Sequence, residues 1–190
     1  TYDFSKLSGG VAVLSADASD GGGSVVFSNM PSSSTGTIVG TEGMDLLLAQ
    51  DSASDDATIT ISTPVSAGIA VSDPIALAEY ETVTINSSGV SDNSIDIDSG
   101  QMTSLVVAGS QGITVTITDA TTLKTIDGSG IQDAAGTGLT VDGNPSVAAA
   151  GGVTITGTDY GLDNLLGGAG GDTISGGGVA DSLSGAAGAD

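Results

Sequence analysis

The sequence has no cysteine, no histidine, no tryptophan and no arginine among its 190 residues. Without cysteine the chain forms no disulfide and offers no thiolate to a metal ion. Without histidine it lacks the usual general base and the most frequent transition-metal ligand, which leaves oxygen ligands and therefore Ca²⁺ or Mg²⁺. Aromatic residues make up only 3% of the chain, so its interior has to be built from Val, Ile, Leu and Ala.

Positive charge is also nearly absent. Lys6 and Lys124 stand against 23 acidic residues, and the formal net charge is −21. Nucleic-acid binding needs a basic face and an anionic membrane repels such a chain, so neither partner is expected. A charge this large repels itself in a compact fold unless cations neutralise it, although a halophilic or very soluble surface is the alternative. No apolar run approaches the roughly 20 residues of a transmembrane helix, so no membrane-spanning segment is expected.

What the sequence does contain is turn residues and short β-branched runs. Glycine alone occurs 31 times, and Ser, Thr and Asp are abundant. This composition predicts an all-β protein of many short strands. Residues 1–73 form an irregular β-rich segment in which Gly43–Gln50 has the pattern of a helical turn. The strands predicted in this segment are Val11–Leu14, Ser24–Phe27, Thr37–Val39 and Ala57–Ile61.

Residues 74–157 are more repetitive, because each short β-branched run ends in a turn of Gly, Ser, Asp or Asn. The matching glycines Gly109 and Gly128 are 19 residues apart. A recurrence of about 20 residues predicts the coils of a parallel β-solenoid, or β-roll, in which each coil buries its apolar face against its neighbours. An antiparallel sandwich is the alternative fold. The runs are Thr82–Ile85, Ser94–Ile97, Leu105–Val107, Leu123–Ile126, Leu139–Val141 and Val153–Ile155.

Residues 158–190 carry a nine-residue motif. Gly167–Ser175 fits the pattern GGxGxDxUx, a calcium-binding nonapeptide, at every defined position. Thr158–Leu166 and Gly176–Ser184 fit it imperfectly, and a fourth unit starts at Gly185. A flexible Gly-rich linker is the alternative, but it would need no apolar residue at every ninth place, as at Leu165, Ile174 and Leu183.

The residue types of the nonapeptide suit a hard cation. Glycines let the backbone turn its carbonyl oxygens inward, and the aspartate adds a carboxylate. Replacement of glycine by Val179 and Ala186 is expected to weaken the sites that these residues line. The predicted metal-binding residues are Gly161, Asp163, Gly167, Gly168, Gly170, Asp172, Gly176, Gly177, Asp181, Gly188 and Asp190.

Two nonapeptides make one coil, so aspartates 18 residues apart are expected to stack. The pairs are Asp163 with Asp181 and Asp172 with Asp190. A calcium ion between stacked turns would take oxygens from both members, whereas the bare carboxylates would repel each other. Calcium binding is therefore expected to be coupled to folding.

At Thr158–Asp190 the chain resembles the RTX proteins. Upstream, Glu81–Ile85, Thr121–Asp127 and the bias towards Thr, Ala, Gly and Val resemble bacterial S-layer proteins of the RTX class. The resemblance implies type I secretion in an unfolded state, folding in extracellular calcium, and a structural role at the bacterial cell surface. It also implies self-association into a lattice, with cell-surface polysaccharide as a partner of other parts of the protein. The chain is expected to be a piece of a longer protein.

Two other roles are open at the sequence level. A calcium-locked module of a secreted adhesin or filament would have the same repeats, and so would the non-catalytic RTX part of a type I secreted enzyme. The chain itself is not expected to be an enzyme, because it lacks an evident catalytic base. The aspartate pairs Asp96 with Asp98 and Asp55 with Asp56 are candidate carboxylate dyads, for which cation binding or solvation is the preferred interpretation.

Overall fold

The computed structural model of the chain describes residues 2–3, 12–16, 25–38, 44–48, 50–63, 75–133, 136–143 and 151–190. The regular structure in these ranges is entirely β-strand, with no helix that could cross a membrane. The strands are β1 (Tyr2–Asp3), β2 (Ala12–Ala16), β3 (Val25–Met30), β4 (Ser33–Ile38), β5 (Met44–Leu48), β6 (Asp56–Thr63), β7 (Ile75–Ala76), β8 (Thr82–Gly89), β9 (Asn93–Asp98), β10 (Ser104–Gly109), β11 (Ile113–Thr118), β12 (Thr125–Ile131), β13 (Thr137–Gly143), β14 (Thr154–Thr156), β15 (Leu162–Leu166), β16 (Thr173–Ser175) and β17 (Ser182–Ser184).

Each strand pairs in parallel with the strand two positions along the chain. The even-numbered strands, β2 to β16, form one eight-stranded sheet, the long sheet; β7, β9, β11, β13, β15 and β17 form a six-stranded sheet, the short sheet. The remaining sheet has the order β1-β3-β5, and β5 contacts β7. Consecutive strands thus lie in different sheets, and two strands make one coil. The predicted parallel β-solenoid is confirmed, and the antiparallel sandwich is excluded.

The core lies between the sheets and is built from columns of aliphatic side chains. Strands such as β11 alternate buried and half-buried residues, so every second side chain points inward. In the short sheet Ile95, Val115, Val141 and Leu165 stack in register through successive coils and are all buried. Phe27 is one of few buried aromatic residues in the described ranges, as the composition predicts.

The long sheet runs through all three sequence segments. Strand β6 of the first segment pairs with β8 of the second, and β14 of the second pairs with β16 of the third. Backbone partners in neighbouring coils are 22 residues apart at Glu81 and Thr103 but only 18 apart at Asp163 and Asp181. The coil therefore shortens to the length of two nonapeptides towards β17.

Three local predictions differ from the structure. The helical turn within Gly43–Gln50 is wrong, because Met44–Leu48 is strand β5. Strand β11 was not among the predicted strands, although its sequence alternates strictly. Gly109 pairs with Ile131 rather than with Gly128, because a β-bulge between Val106 and Ala108 shifts the register.

Some predictions fall outside the described residues. These are Val11, Ser24 and Val39 at the ends of predicted strands, and the segment boundary at residue 73.

Candidate metal centre

The nonapeptides form the turns between the last four strands. Asp163 and Asp181 come directly before β15 and β17 of the short sheet or one residue earlier in the turn, whereas Asp172 directly precedes β16 of the long sheet. The two aspartate pairs therefore belong to opposite edges of the solenoid. The U residues point towards the interior and become less covered along the chain, since Leu165 is buried, Ile174 half-buried and Leu183 exposed.

The aspartates that are 18 residues apart lie against each other. The backbone N–H of Asp163 donates to Oδ1 of Asp181 at 3.0 Å, and that of Asp172 donates to Oδ1 of Asp190 at 3.0 Å. The predicted neighbours are therefore brought together. Their contact is a backbone-to-carboxylate hydrogen bond, an arrangement that the sequence did not predict.

The two inner aspartates each bind two backbone amides. Asp163 accepts hydrogen bonds from the N–H of Leu139 at 2.5 Å and of Thr158 at 2.7 Å. Asp172 accepts them from Val153 at 2.8 Å and from Gly168 at 2.9 Å. One donor belongs to the aspartate's own turn and the other to the preceding coil. Each carboxylate thus stabilises its own turn and joins two coils.

The same contact occurs upstream of the nonapeptides, where sequence reasoning did not place functional residues. Glu81 Oε2 accepts from the backbone N–H of Asp55 at 2.8 Å, and Asp133 Oδ2 accepts from that of Gly112 at 3.2 Å. The usable sequence signal is an acidic residue directly before a β-branched run, as Glu81 stands before Thr82–Ile85.

The first glycine of each nonapeptide makes room for the aspartate of the same unit. A Cβ atom would lie 2.3 Å from Asp172 Oδ2 if placed on Gly167, and 2.1 Å from Asp181 Oδ2 if placed on Gly176. Both distances are shorter than a van der Waals contact, so an alanine would displace the carboxylate. All the predicted metal-binding residues lie in these turns.

The two departures from the motif have different structural consequences. Ala186 has φ of 69°, a left-handed conformation that glycine adopts without strain. Val179 has no positive φ, because its turn uses Gly177, with φ of 110°, instead. The replacement of glycine is therefore strained at Ala186 and accommodated at Val179.

The inner turns hold negative charge in a buried place. Asp163 is only 2% exposed. Burial raises the pKa of its carboxyl group, the hydrogen bonds from Leu139 and Thr158 oppose the shift, and the charge of Asp181 adds to it. Lys124 is the only cationic side chain in the described ranges.

These turns fit a hard cation in the chemistry of their donors, which are carboxylate and backbone oxygens. An ionised carboxylate has about four lone-pair positions, so a hydrogen-bonded Asp163 or Asp172 can still bind a metal. No group of three or more acidic side chains converges in the part of the chain that the structure describes. An ion in these turns would therefore take most of its ligands from backbone carbonyls.

The other candidate aspartates are not arranged as catalytic dyads. Asp55 is buried and accepts from the N–H of Ser52 at 2.6 Å, whereas Asp56 is exposed and accepts from Ser33 Oγ at 2.6 Å. These neighbours thus point in opposite directions. Asp96 and Asp98 share the half-exposed face of β9, as strand geometry predicts.

Compared with models of protein families, with curated proteins and with solved structures, the chain has no match in any of the three.

Proposed function

We propose that this chain is a calcium-binding segment of a structural protein of the bacterial cell surface, an S-layer protein of the RTX class. The observation that carries the proposal is the stacking of nonapeptide aspartates in successive coils with a repeat of 18 residues. In this proposal calcium binds at the turns that contain Asp163, Asp172, Asp181 and Asp190.

Charge supports the choice of calcium. The net charge of −21 and the burial of Asp163 both disfavour the metal-free fold, and each divalent ion removes two negative charges. If each site has the sub-millimolar to millimolar affinity of extracellular modules, calcium at ten times Kd stabilises the fold by about 1.4 kcal/mol per site. Several such sites would make folding dependent on extracellular calcium.

The solenoid also suits a structural role. Parallel coils present long, regular sheet faces to neighbouring molecules, and the resemblance to RTX-class S-layer proteins makes self-association into a lattice the proposed use of these faces. Electron microscopy of the full-length protein in calcium tests this part. Ordered two-dimensional sheets are expected; fibres would support an adhesin or filament, and isolated monomers would contradict the lattice.

Calcium binding itself is tested by circular dichroism and thermal unfolding of the chain, first with chelator and then with millimolar calcium. We expect the thermal midpoint to rise. Asp172→Ala should remove at least one bound ion, whereas the exposed Asp142 in β13 provides a matched control variant, Asp142→Ala. An unchanged midpoint on adding calcium would refute the proposal.

A further inference from the structure

A second group of acidic residues lies upstream of the nonapeptides, beside the turn that joins β8 to β9. An open depression of about 230 Å³ is found there. It spans the turns of three successive coils. Its lining residues are Val90, Ser91, Asp92, Gln111, Asp133 and Gly136.

The carboxylates of Asp92 and Asp133 converge in this depression. They are within hydrogen-bonding distance of each other and both accept from the backbone N–H of Gly112. A Cβ atom on Gly136 would lie 2.4 Å from Asp133 Oδ2 and 3.0 Å from Asp92 Oδ1, so both groups border the same point. Asp133 is only 8% exposed. Two like charges so close require a shared proton or a cation.

A separate observation points to a missing ligand. Ser91 lines the same depression, and its Oγ is buried without a hydrogen-bond partner. In the part of the chain described, this is the one buried side-chain nitrogen or oxygen atom in that condition. A buried hydroxyl without a partner is costly, so native structures normally satisfy it with a polar group, water or an ion.

The only described cationic side chain is far from this point. Lys124 directly precedes β12 and Asp133 lies just beyond its other end, so the strand separates them by roughly 25 Å at about 3.3 Å per residue. Lys124 therefore cannot neutralise the carboxylate pair.

We propose that Asp92, Asp133 and Ser91 form a calcium site. The side-chain amide nitrogen of Gln111 donates to the carbonyl oxygen of Gly89 at 3.3 Å, which leaves Gln111 Oε1 as a further ligand. Carboxylate, hydroxyl and amide oxygens are the ligands of Ca²⁺, and an open site on turns suits its variable geometry better than the strict octahedron of Mg²⁺. The site lies outside the nonapeptides and does not depend on them.

The first test counts bound ions. The chain, the double variant Asp92→Asn/Asp133→Asn and the control Asp142→Asn are dialysed against millimolar calcium, and the bound metal is measured by mass spectrometry. The double variant should lose one ion per chain while the control loses none. An unchanged count in a folded double variant would overturn the site.

Ser91→Ala gives a second test that does not threaten the fold. In chelator this variant should unfold at or above the wild-type temperature, because it removes an unpartnered buried hydroxyl. In a calcium titration one class of sites should weaken about tenfold. A purely structural serine would leave calcium affinity unchanged, and that result would overturn the proposal.

Asp172→Ala separates this site from the proposed function. If Asp172→Ala loses an ion and the double variant does not, the upstream site is wrong and the nonapeptide sites stand. The reverse result supports the upstream site and refutes the nonapeptide assignment. A wild-type chain that binds no calcium would overturn both.

Discussion

Carboxylates at the corners of the coils perform the work that side chains usually leave to the backbone. Where one strand ends and the next begins, the backbone N–H of one coil has no carbonyl of the next coil to bind, and an acidic side chain takes its place. Glu79 does this for the N–H of Leu48 at 2.7 Å, and Asp172 for that of Val153 at 2.8 Å. The short aspartate suffices in compact coils, whereas the longer glutamate serves in the wider ones.

Tyr80 provides a test of this packing at alkaline pH. It is fully buried, and its hydroxyl donates to Ser34 Oγ at 3.0 Å. Burial raises its pKa to about 12, the bond with Ser34 opposes the shift, and the charges of Asp55, Glu79 and Asp56 add to it. Because an unfolded tyrosine ionises near pH 10, this group's contribution is complete below pH 10 and is lost as pH rises towards 12; it amounts to at most about 2 kcal/mol.

The measurement is urea unfolding between pH 9 and pH 12, with Tyr80→Phe as the reference. The wild type should lose more free energy of unfolding over this window than the variant, which has no phenol to ionise at this position. Equal losses would mean that Tyr80 does not retain its proton in the folded state.

Gly109 tests the tight approach of neighbouring coils. It has φ of 134°, and a Cβ atom there would lie 1.8 Å from the carbonyl oxygen of Ser87. Gly109→Ala should therefore lower the free energy of unfolding by roughly 2–4 kcal/mol. Gly100, which has no atom within 4 Å of such a Cβ, is the matched control. Its alanine variant should stay within about 0.5 kcal/mol of wild type, and similar effects at both positions would contradict this account.

Strands contribute to stability through the apolar columns, and the columns are unequally covered. Leu165 and Leu183 are partners in adjacent strands, but Leu165 is 1% exposed and Leu183 is 48% exposed. Leu165→Ala should cost about 2–5 kcal/mol and Leu183→Ala less than about 1 kcal/mol, because only the first leaves a cavity. Thermal and urea unfolding in the same buffer compare the two. Equal costs would indicate that Leu183 is covered in solution.

The strands themselves were largely predictable because their signal is local. Alternating β-branched residues such as Thr82–Ile85 become strands wherever one face is buried, and the nine-residue register brought Asp163 to Asp181 without further information. The run within Met44–Leu48 was ambiguous, because a short apolar run without strict alternation suits a helix or a strand.

The register between coils was less predictable. The bulge in the β10–β12 pairing moved Gly109 away from Gly128, and nothing in the local sequence marks it. Asp92 contacts Thr137, 45 residues away, through two coils of unequal length. A site assembled in this way requires the lengths of all intervening turns, which only the folded chain reveals.

The whole molecule carries its charge as a general and a specific effect, and salts separate them. Monovalent salt screens the repulsion among the charges that total −21 and should raise the thermal midpoint of the metal-free protein gradually. Calcium chloride at equal ionic strength should raise it further, because ions bound to the folded state add their binding free energy. Unfolding curves in sodium chloride and calcium chloride make the comparison, and identical midpoints would reduce calcium to a screening ion.

The parallel pairing of each strand with the strand two positions along also governs the response to tension. A pulling force on one end meets the hydrogen bonds of a single coil, since each coil binds only its neighbours. Coils would detach in turn, each releasing about as many residues as separate its backbone partners, 22 at Glu81 and Thr103 and 18 at Asp163 and Asp181. Such a chain lengthens in small steps under load and rewinds on the coil that remains, so it behaves as a spring whose stiffness bound ions would set.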